Sequence, residues 1–459
     1  MFVARTDART AHATGVERLL SSYRAVPDDL PVRLAKPTSN LFRTRTRTSA
    51  SGLDTSGLTG VLSVDADART ADVAGMCTYE DLVAATLPVG LSPLVVPQLK
   101  TITLGGAVTG LGIESTSFRN GLPHESVLEM DVLTGAGDVL TASPTEYADL
   151  FRAFPNSYGT LGYAVRLRIE LEPVKPFVLL RHRRFHAVSD LVAAMAGILE
   201  TGLLDGVAVD YLDGVVFGPS ESYLSVGFRT AAAGPVSDYT GRGIYYRSIQ
   251  HEAGTLDDRL TIADYLWRWD TDWFWCSEAF GAQHPLVRAI WPRHYRRSRS
   301  YSTLMTYERR FQIGDRLEAL KGRPPRERVV QDVDVPIERT VEFLEWFLAT
   351  VPITPIWLCP LRLRSAEAWP LYPLQPRRSY VNIGFWSTVP IGSTEGETNR
   401  QIERKISDLD GHKSLYSDSY YSAEEFDELY GGDAYRAVKQ RYDPHGRLLD
   451  LYAKAVQRQ

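Results

Sequence analysis

Cysteine is scarce: the three in 459 residues, Cys77, Cys276 and Cys359, lie far apart. They fit neither a disulfide framework nor a metal-ligand spacing, so each is expected as a small buried hydrophobe in a reducing compartment, with no metal site. Long apolar runs are missing too. No stretch approaches the roughly 20 apolar residues that span a bilayer, and the opening MFVARTDARTAHATGVERLL has no apolar core of signal-peptide length. These absences point to a cytoplasmic protein, still open to peripheral contact with the inner face of a membrane. Positive charge is not in surplus. Fifty-one Lys and Arg against 56 Asp and Glu leave a net charge of −5, which argues against nucleic acid as a partner. There is no Rossmann GxGxxG between a strand and a helix and no Walker lysine. No internal repeat or low-complexity tract is evident.

What remains is ordinary globular composition, 44% hydrophobic and 23% charged, in a chain long enough for two or three domains. A helical pattern over 14–25 ends near Pro27. Strands are expected at 60–65 and 70–75, joined by the polar turn Ala66-Asp67-Ala68-Arg69. Thr78 caps a helix to about Leu87, with Glu80 and Asp81 at its positive end. Strand, turn and strand follow over 126–140, around Gly135-Ala136-Gly137-Asp138, then a short helix at 145–153 and a strand from Tyr163 to Leu171. Composition changes at Pro173-Val174-Lys175-Pro176. Beyond it aromatic residues and arginine are more frequent, with strands at 206–216, 222–229, 353–358 and 380–386 and helices at 337–350, 422–441 and 447–457. The fold class is α+β. The expected division is a helical extension (1–30), an α+β domain (31–173) and a second α+β domain with C-terminal helices (174–459).

The most informative segment runs PQLKTITLGGAVTGLGIES from Pro97 to Ser115. Gly105, Gly106, Gly110 and Gly112 let backbone approach a ligand closely and allow positive φ. Clustered amides there can form an anion-binding nest, and Thr103, Ser115 and Ser117 add hydroxyl donors. That is what a pyrophosphate needs. Gly121 and a second loop, Gly159-Thr160-Leu161-Gly162, strengthen this reading over simple tight turns.

The run PQLKTITLGGAVTGLGIESTSFRNGL resembles the FAD loop of the sterol Δ24-reductase branch of the PCMH-type (vanillyl-alcohol-oxidase fold) flavoproteins. The similarity continues in LTGAGDVLTASPTEYADLF and NSYGTLGYAVRLRIEL, then in VVQDVDVP (329–336), ITPIWLCPLRL (353–363) and SLYSDSYYSAEEFDELYGG (414–432). The resemblance implies a two-subdomain FAD-binding domain followed by a substrate, or cap, domain. By position, Thr103, Leu104, Gly105, Gly106, Ala107, Gly110, Gly112, Ile113, Glu114 and Ser115 would contact pyrophosphate and ribose, with Ser117 and Gly121 beside them. Gly159, Gly162 and Val165 would lie along the flavin or adenine, and the segment 39–43, with Arg43, would be the first phosphate loop. Many oxidases of this type carry a histidine in that first loop, bonded covalently to the flavin. Here the loop reads RTRTRTSAS, and the only earlier histidine is His12. Non-covalent FAD is expected, which leans toward a reductase. Arg43, Arg45 and Arg47 would neutralise FAD phosphates or form a solvated strand face.

A reductase of this branch is expected to act on an isolated C=C bond of a lipid. Such an alkene has no carbonyl to accept electrons, so a proton must arrive with or before the hydride, and the site must be dry with one placed acid. Asp332, Tyr416 and Tyr246 are the candidate donors. The bacterial relatives that reduce 10-methylene fatty-acyl chains, free or in a phospholipid, supply the leading substrate, with NADPH as electron donor. Two other readings stay open: an FAD-dependent alcohol or sugar oxidase, and a non-enzymatic flavin-binding scaffold for a lipid methyltransferase. The cluster Tyr265, Trp267, Trp269, Trp273, Phe274, Trp275 is expected as an irregular edge or amphipathic strand. It reads either as core around a lipid tunnel or as a membrane-surface element, with Arg293, Arg296, Arg297 and Arg299 facing anionic head groups.

Overall fold

The computed structural model describes residues 5–36, 42–44, 51–311, 322 and 324–458. Arg45, Arg47 and residues 39–41 of the expected first phosphate loop lie outside them. Two antiparallel sheets organise the chain. The first has six strands: Val61–Asp65 (β1), Thr70–Ala74 (β2), Leu91–Pro93 (β3), Val127–Leu133 (β4), Val139–Ala142 (β5) and Tyr163–Pro173 (β6), in the order β1-β2-β6-β4-β5 with β3 also on β6. β6 is central because its alternation serves two faces. Leu167, Ile169 and Leu171 enter the core. Arg166, on the opposite face, spans its neighbours to reach Asp72, Glu129 and Asp131 at 2.6–2.7 Å.

The longest helices of this unit are Arg5–Arg24 (α1), Tyr79–Thr86 (α2) and Leu104–Gly110 (α3). α1 extends well beyond the expected 14–25. Its Leu19 and Tyr23 pack with Leu53, Val165 and Leu448. A parallel pair, Val32–Ala35 with Ser51–Asp54, lies beside it. Thr78 caps α2 as expected, accepting from the Asp81 amide.

The second sheet has eight strands: Phe177–Phe185 (β7), Tyr211–Gly218 (β8), Glu221–Thr230 (β9), Thr255–Thr261 (β10), Arg326–Pro336 (β11), Ile356–Arg362 (β12), Ser379–Pro390 (β13) and His412–Lys413 (β14), in the order β10-β7-β9-β8-β12-β13-β11-β14. Period-two alternation splits its side chains between two cores. Leu212, Val216, Val333, Leu358, Ile383 and Phe385 face one side and are covered by helices Val188–Thr201 (α4) and Thr340–Thr350 (α5). Tyr211, Val215, Trp357, Cys359 and Tyr380 face the other, toward the first unit. The alternation therefore sends Asp213, Asp332, Asp334 and Asn382 to that side as well.

The helical stretch expected over 422–441 is broken. Gly431, at φ 82°, separates Ala423–Leu429 from Gly432–Tyr442, and a Cβ there would lie 2.4 Å from Pro370 O. The last helices return to the first unit. Lys439 Nζ donates to Thr160 O at 2.8 Å, and Lys454 Nζ donates to Tyr158 O at 2.7 Å.

Candidate active site

A cavity of about 370 Å³ lies between the two sheets. One wall is the glycine-rich segment from Pro97 to Ile113 together with Tyr158, Gly159 and Gly162. The facing wall is aromatic: Phe42, Trp273, Phe274, Trp357, Trp386 and Tyr416. Among the described residues, Arg33, Lys36 and Lys454 are the cationic residues of the lining, and Asp332 is its single acidic one. Backbone strain gathers here: the non-glycine residues Leu111 (φ 65°), Tyr158 (50°), Trp273 (45°) and Phe274 (59°) all line the cavity in left-handed conformations.

The glycine segment differs from the expected nest of free amides, because part of it is helical. Thr103 caps α3, and the first amides of that helix are already used. Leu104 N donates to Cys77 O at 2.9 Å, Gly105 N to Gly75 O at 3.0 Å and Ala107 N to Thr103 O at 2.9 Å. Gly106 N donates to Thr103 Oγ1 at 3.2 Å. Gly105 is glycine because backbone packs on it: a Cβ would lie 2.7 Å from Gly75 O. The amides left for an anion sit after the helix. Gly112 and Ile113 line the cavity, and their N–H groups donate to nothing among the described residues. Gln98 Nε2, also in the lining, is buried with no partner. Unused amides, an orphaned donor and three cations fit a bound diphosphate.

Of the expected cofactor contacts, Thr103, Gly105, Gly106, Ala107, Gly110, Gly112, Ile113, Gly159 and Gly162 line the cavity. The others are set elsewhere. Leu104 points into the core. Arg43 is buried behind Tyr158, its guanidinium 4.8 Å from that ring. Ser117 Oγ accepts from Glu114 N at 3.1 Å. Gly121 is closed off by Glu125, whose Oε2 would be 1.9 Å from a Cβ. Val165 packs on α1, and its carbonyl accepts from Gly75 N at 2.9 Å.

Glu114 and Ser115 belong to a buried ionic network. Arg268 lies 3.2 Å from Glu114 Oε1 and 2.9 Å from Asp213 Oδ2, with all three side chains at most 4% exposed. Ser115 Oγ donates to Glu114 at 2.7 Å, and Trp357 Nε1 donates to Asp213 at 3.3 Å. Burial, with Asp213 nearby, raises the Glu114 carboxyl above the usual range although Arg268 opposes it. The network joins the glycine segment, the second sheet and the aromatic segment.

Two of the three expected acids meet at the cavity. Asp332 and Tyr416 line it together, and Trp386 Nε1 donates to the Tyr416 hydroxyl at 2.8 Å. Tyr246 is elsewhere, donating to Gln283 Oε1 at 2.7 Å outside the lining. Burial pushes the Asp332 carboxyl up to about 8, reinforced by Asp334 and opposed by the Tyr416 hydroxyl. Its Oδ1 is buried with no hydrogen-bond partner. Asp334 accepts from Tyr372 at 2.5 Å and Asn382 at 2.8 Å, and burial raises it to about 6. The Asp-x-Asp spacing in VVQDVDVP was the available signal for Asp334, since residues two apart on a strand share a face. Sequence reasoning offered no signal for Lys454 or for the Arg268 network, whose members are far apart in the chain.

The tryptophan cluster is neither a strand nor a surface element. Ile262–Trp267 is helical and turns follow. Trp267, Trp269, Trp273 and Trp275 are all buried, because their rings pack on one another and on the second sheet. Phe274 lies 4.5 Å from Trp386 and 5.6 Å from Trp357 between ring centroids. Among the described residues no helix is long and apolar enough to cross a membrane, and no three ligand side chains are grouped for a metal.

Comparison with known proteins agrees with this geometry. Residues 12–143 match the FAD binding domain family. The fold is of the PCMH type, and with this domain it supports an FAD-dependent oxidoreductase. Over most of its length the chain is similar to Delta(24)-sterol reductases. It is 26% identical to that of Homo sapiens over 409 residues, covering 86% of this chain and 76% of the relative. It is 25% identical to that of Arabidopsis thaliana over 431 residues, covering 86% and 74%. A shorter likeness, 31% over 152 residues, covers 33% of this chain and 28% of cytokinin dehydrogenase 3 of Oryza sativa subsp. japonica.

Proposed function

We propose that this chain reduces an isolated C=C bond in a lipid, converting a 10-methylene fatty-acyl chain to the 10-methyl chain with FAD held non-covalently and NAD(P)H as electron source. Gly112 and Ile113, with Arg33, Lys36 and Lys454, would hold the FAD diphosphate, and Gly159 and Gly162 would lie along the rest of the cofactor. FAD, when bound and reduced by NAD(P)H, would supply the hydride. Asp332 delivers the proton to the terminal methylene carbon, leaving tertiary cationic character at the branched carbon where the hydride is received. Phe274, Trp357 and Trp386 exclude water and present π faces to that developing charge. The Asp332 carboxylate then regains a proton from solvent.

The observation that carries this reading is Asp332 itself. Among the described residues it is the single acid of an aromatic-walled cavity, protonated at neutral pH, with an unpartnered Oδ1. The likeness to sterol reductases along both sheets supports the same chemistry. The partner class that must supply such a substrate is a methyltransferase forming the 10-methylene group. The test is to purify the chain, record its flavin spectrum, bleach it anaerobically with NADPH, and supply 10-methylene lipids. A gain of two mass units with loss of the alkene is expected. Bleaching without conversion would exclude this substrate, and oxygen consumption with polyols instead would establish an oxidase. Bound flavin that NAD(P)H leaves oxidised would favour the scaffold.

A further inference from the structure

The segment that supplies Trp273 and Phe274 to the cavity continues outward into a surface that carries the two most exposed large hydrophobic side chains among the described residues. Leu286 and Ile290, four apart on the helix Pro285–Ile290, are 73% and 82% exposed, and Tyr295 and Tyr307 follow at 54% and 56%. Residues four apart share a helix face, so Leu286 and Ile290 form one apolar projection. Isolated exposed leucines need no explanation, but a contiguous group does.

Charge in the segment is one-sided. From Ala279 to Tyr307 there is no Asp or Glu, while Arg288, Arg293, Arg296, Arg297 and Arg299 all fall within it, in a chain of net charge −5. Three of them fasten the segment to the body: Arg288 to Asp272 at 2.7 Å, Arg297 to Glu80 at 2.5 Å and Arg296 to the Trp291 carbonyl at 2.9 Å. Arg293 and Arg299 are exposed and form no ion pair among the described residues. Inside, stacked rings connect this face to the cavity wall. Tyr301 lies 6.4 Å from Trp273, 6.0 Å from Phe280 and 6.4 Å from Trp291.

We propose that this face docks the protein on an anionic phospholipid bilayer, with Leu286 and Ile290 inserted at the head-group boundary and Arg293 and Arg299 on lipid phosphates. Apolar projections flanked by cations without an ion pair, in a stretch with no acid between Ala279 and Tyr307, complement such a surface, and two weak signals together hold a protein there. Docking at this point would set the segment that walls the cavity against the bilayer. The inference rests on exposure and charge rather than on the reaction proposed above, and vesicle binding reads it without turnover.

The test is flotation of the full chain with phosphatidylcholine vesicles containing phosphatidylglycerol and with phosphatidylcholine vesicles alone. Capture by the anionic vesicles, lost at high salt, is expected. Leu286→Asp with Ile290→Asp, and separately Arg293→Glu with Arg299→Glu, should each weaken capture by about tenfold or more, with the flavin spectrum and circular dichroism unchanged. Wild-type protein that stays at the bottom of the gradient overturns the proposal, as does equal capture by uncharged vesicles. So does flotation of the arginine variant at wild-type level. Should the leucine–isoleucine variant instead abolish a concentration-dependent dimer in protein that never floats, the face is a contact between copies and the proposal fails.

Discussion

Asp334 raises the pKa of Asp332, two residues away on the same face of β11, and no cation among the described residues is a cause of either shift. Asp334 has two hydrogen-bond donors to stabilise it, whereas Asp332 Oδ1 has none. The pair is thus graded: the carboxyl at the cavity keeps its proton to about 8 and the one behind it to about 6. Two acids pushed apart by their surroundings mark the proton donor.

Asp332→Asn should remove the proton donor while leaving volume and packing nearly intact. Loss of a positioned acid lowers turnover by roughly 10²- to 10⁴-fold. The expected outcome is that loss in kcat with flavin content unchanged, measured by steady-state assay beside the flavin absorbance.

The alkaline limb of the rate should fall as pH rises through about 8, where Asp332 loses its proton. Two variants should move it in opposite directions. Asp334→Asn removes a negative neighbour, eases ionisation of Asp332 and shifts the limb to lower pH. Tyr416→Phe removes the hydroxyl that favours the carboxylate and shifts the limb to higher pH. Two shifts of the same sign in the pH profiles would contradict the arrangement.

Stability carries its own signature. The folded pKa of Asp332, about 8, stands above the ordinary 3.8. The native state therefore binds more protons than the unfolded state between those values, and stability falls as pH rises across that window. Asp332→Asn, which has no charge to bury, should melt on the order of a few degrees above wild type at pH 8, and the advantage should vanish near pH 4.

Arg268 pairs with two buried carboxyl groups at once. Arg268→Ala strands both, and breaking a buried pair in this way costs about 3–5 kcal/mol. Glu114→Gln should cost far less, because Asp213 still faces the guanidinium at 2.9 Å. Denaturant melts of the two variants should separate them clearly.

Much of the first sheet was legible in the sequence. The β1–β2 hairpin, the Thr78 cap and the β4–β5 turn are local, written in alternation and turn residues. So was the glycine segment, although its amides were misassigned: a GlyGly pair reads as an open loop unless one knows that Gly75 packs against it. Asp332 could be proposed but not chosen over Tyr246, because nothing local tells which face of β11 meets the cavity. Strand β7, helix α4 and the Arg268 network escaped because their partners are distant in the chain. The tryptophans were legible as core but not in their backbone form, because their alternation with Arg and Asp imitates an amphipathic strand, whereas Arg268 and Asp270 are themselves buried and paired.

The late lysines have a temporal meaning. Lys439 and Lys454 tie the Thr160 and Tyr158 carbonyls of a loop made nearly 300 residues earlier, and Lys454 also lines the cavity. During synthesis the glycine segment leaves the ribosome long before these clamps exist. The lining of the cavity is therefore complete only after translation has passed residue 454.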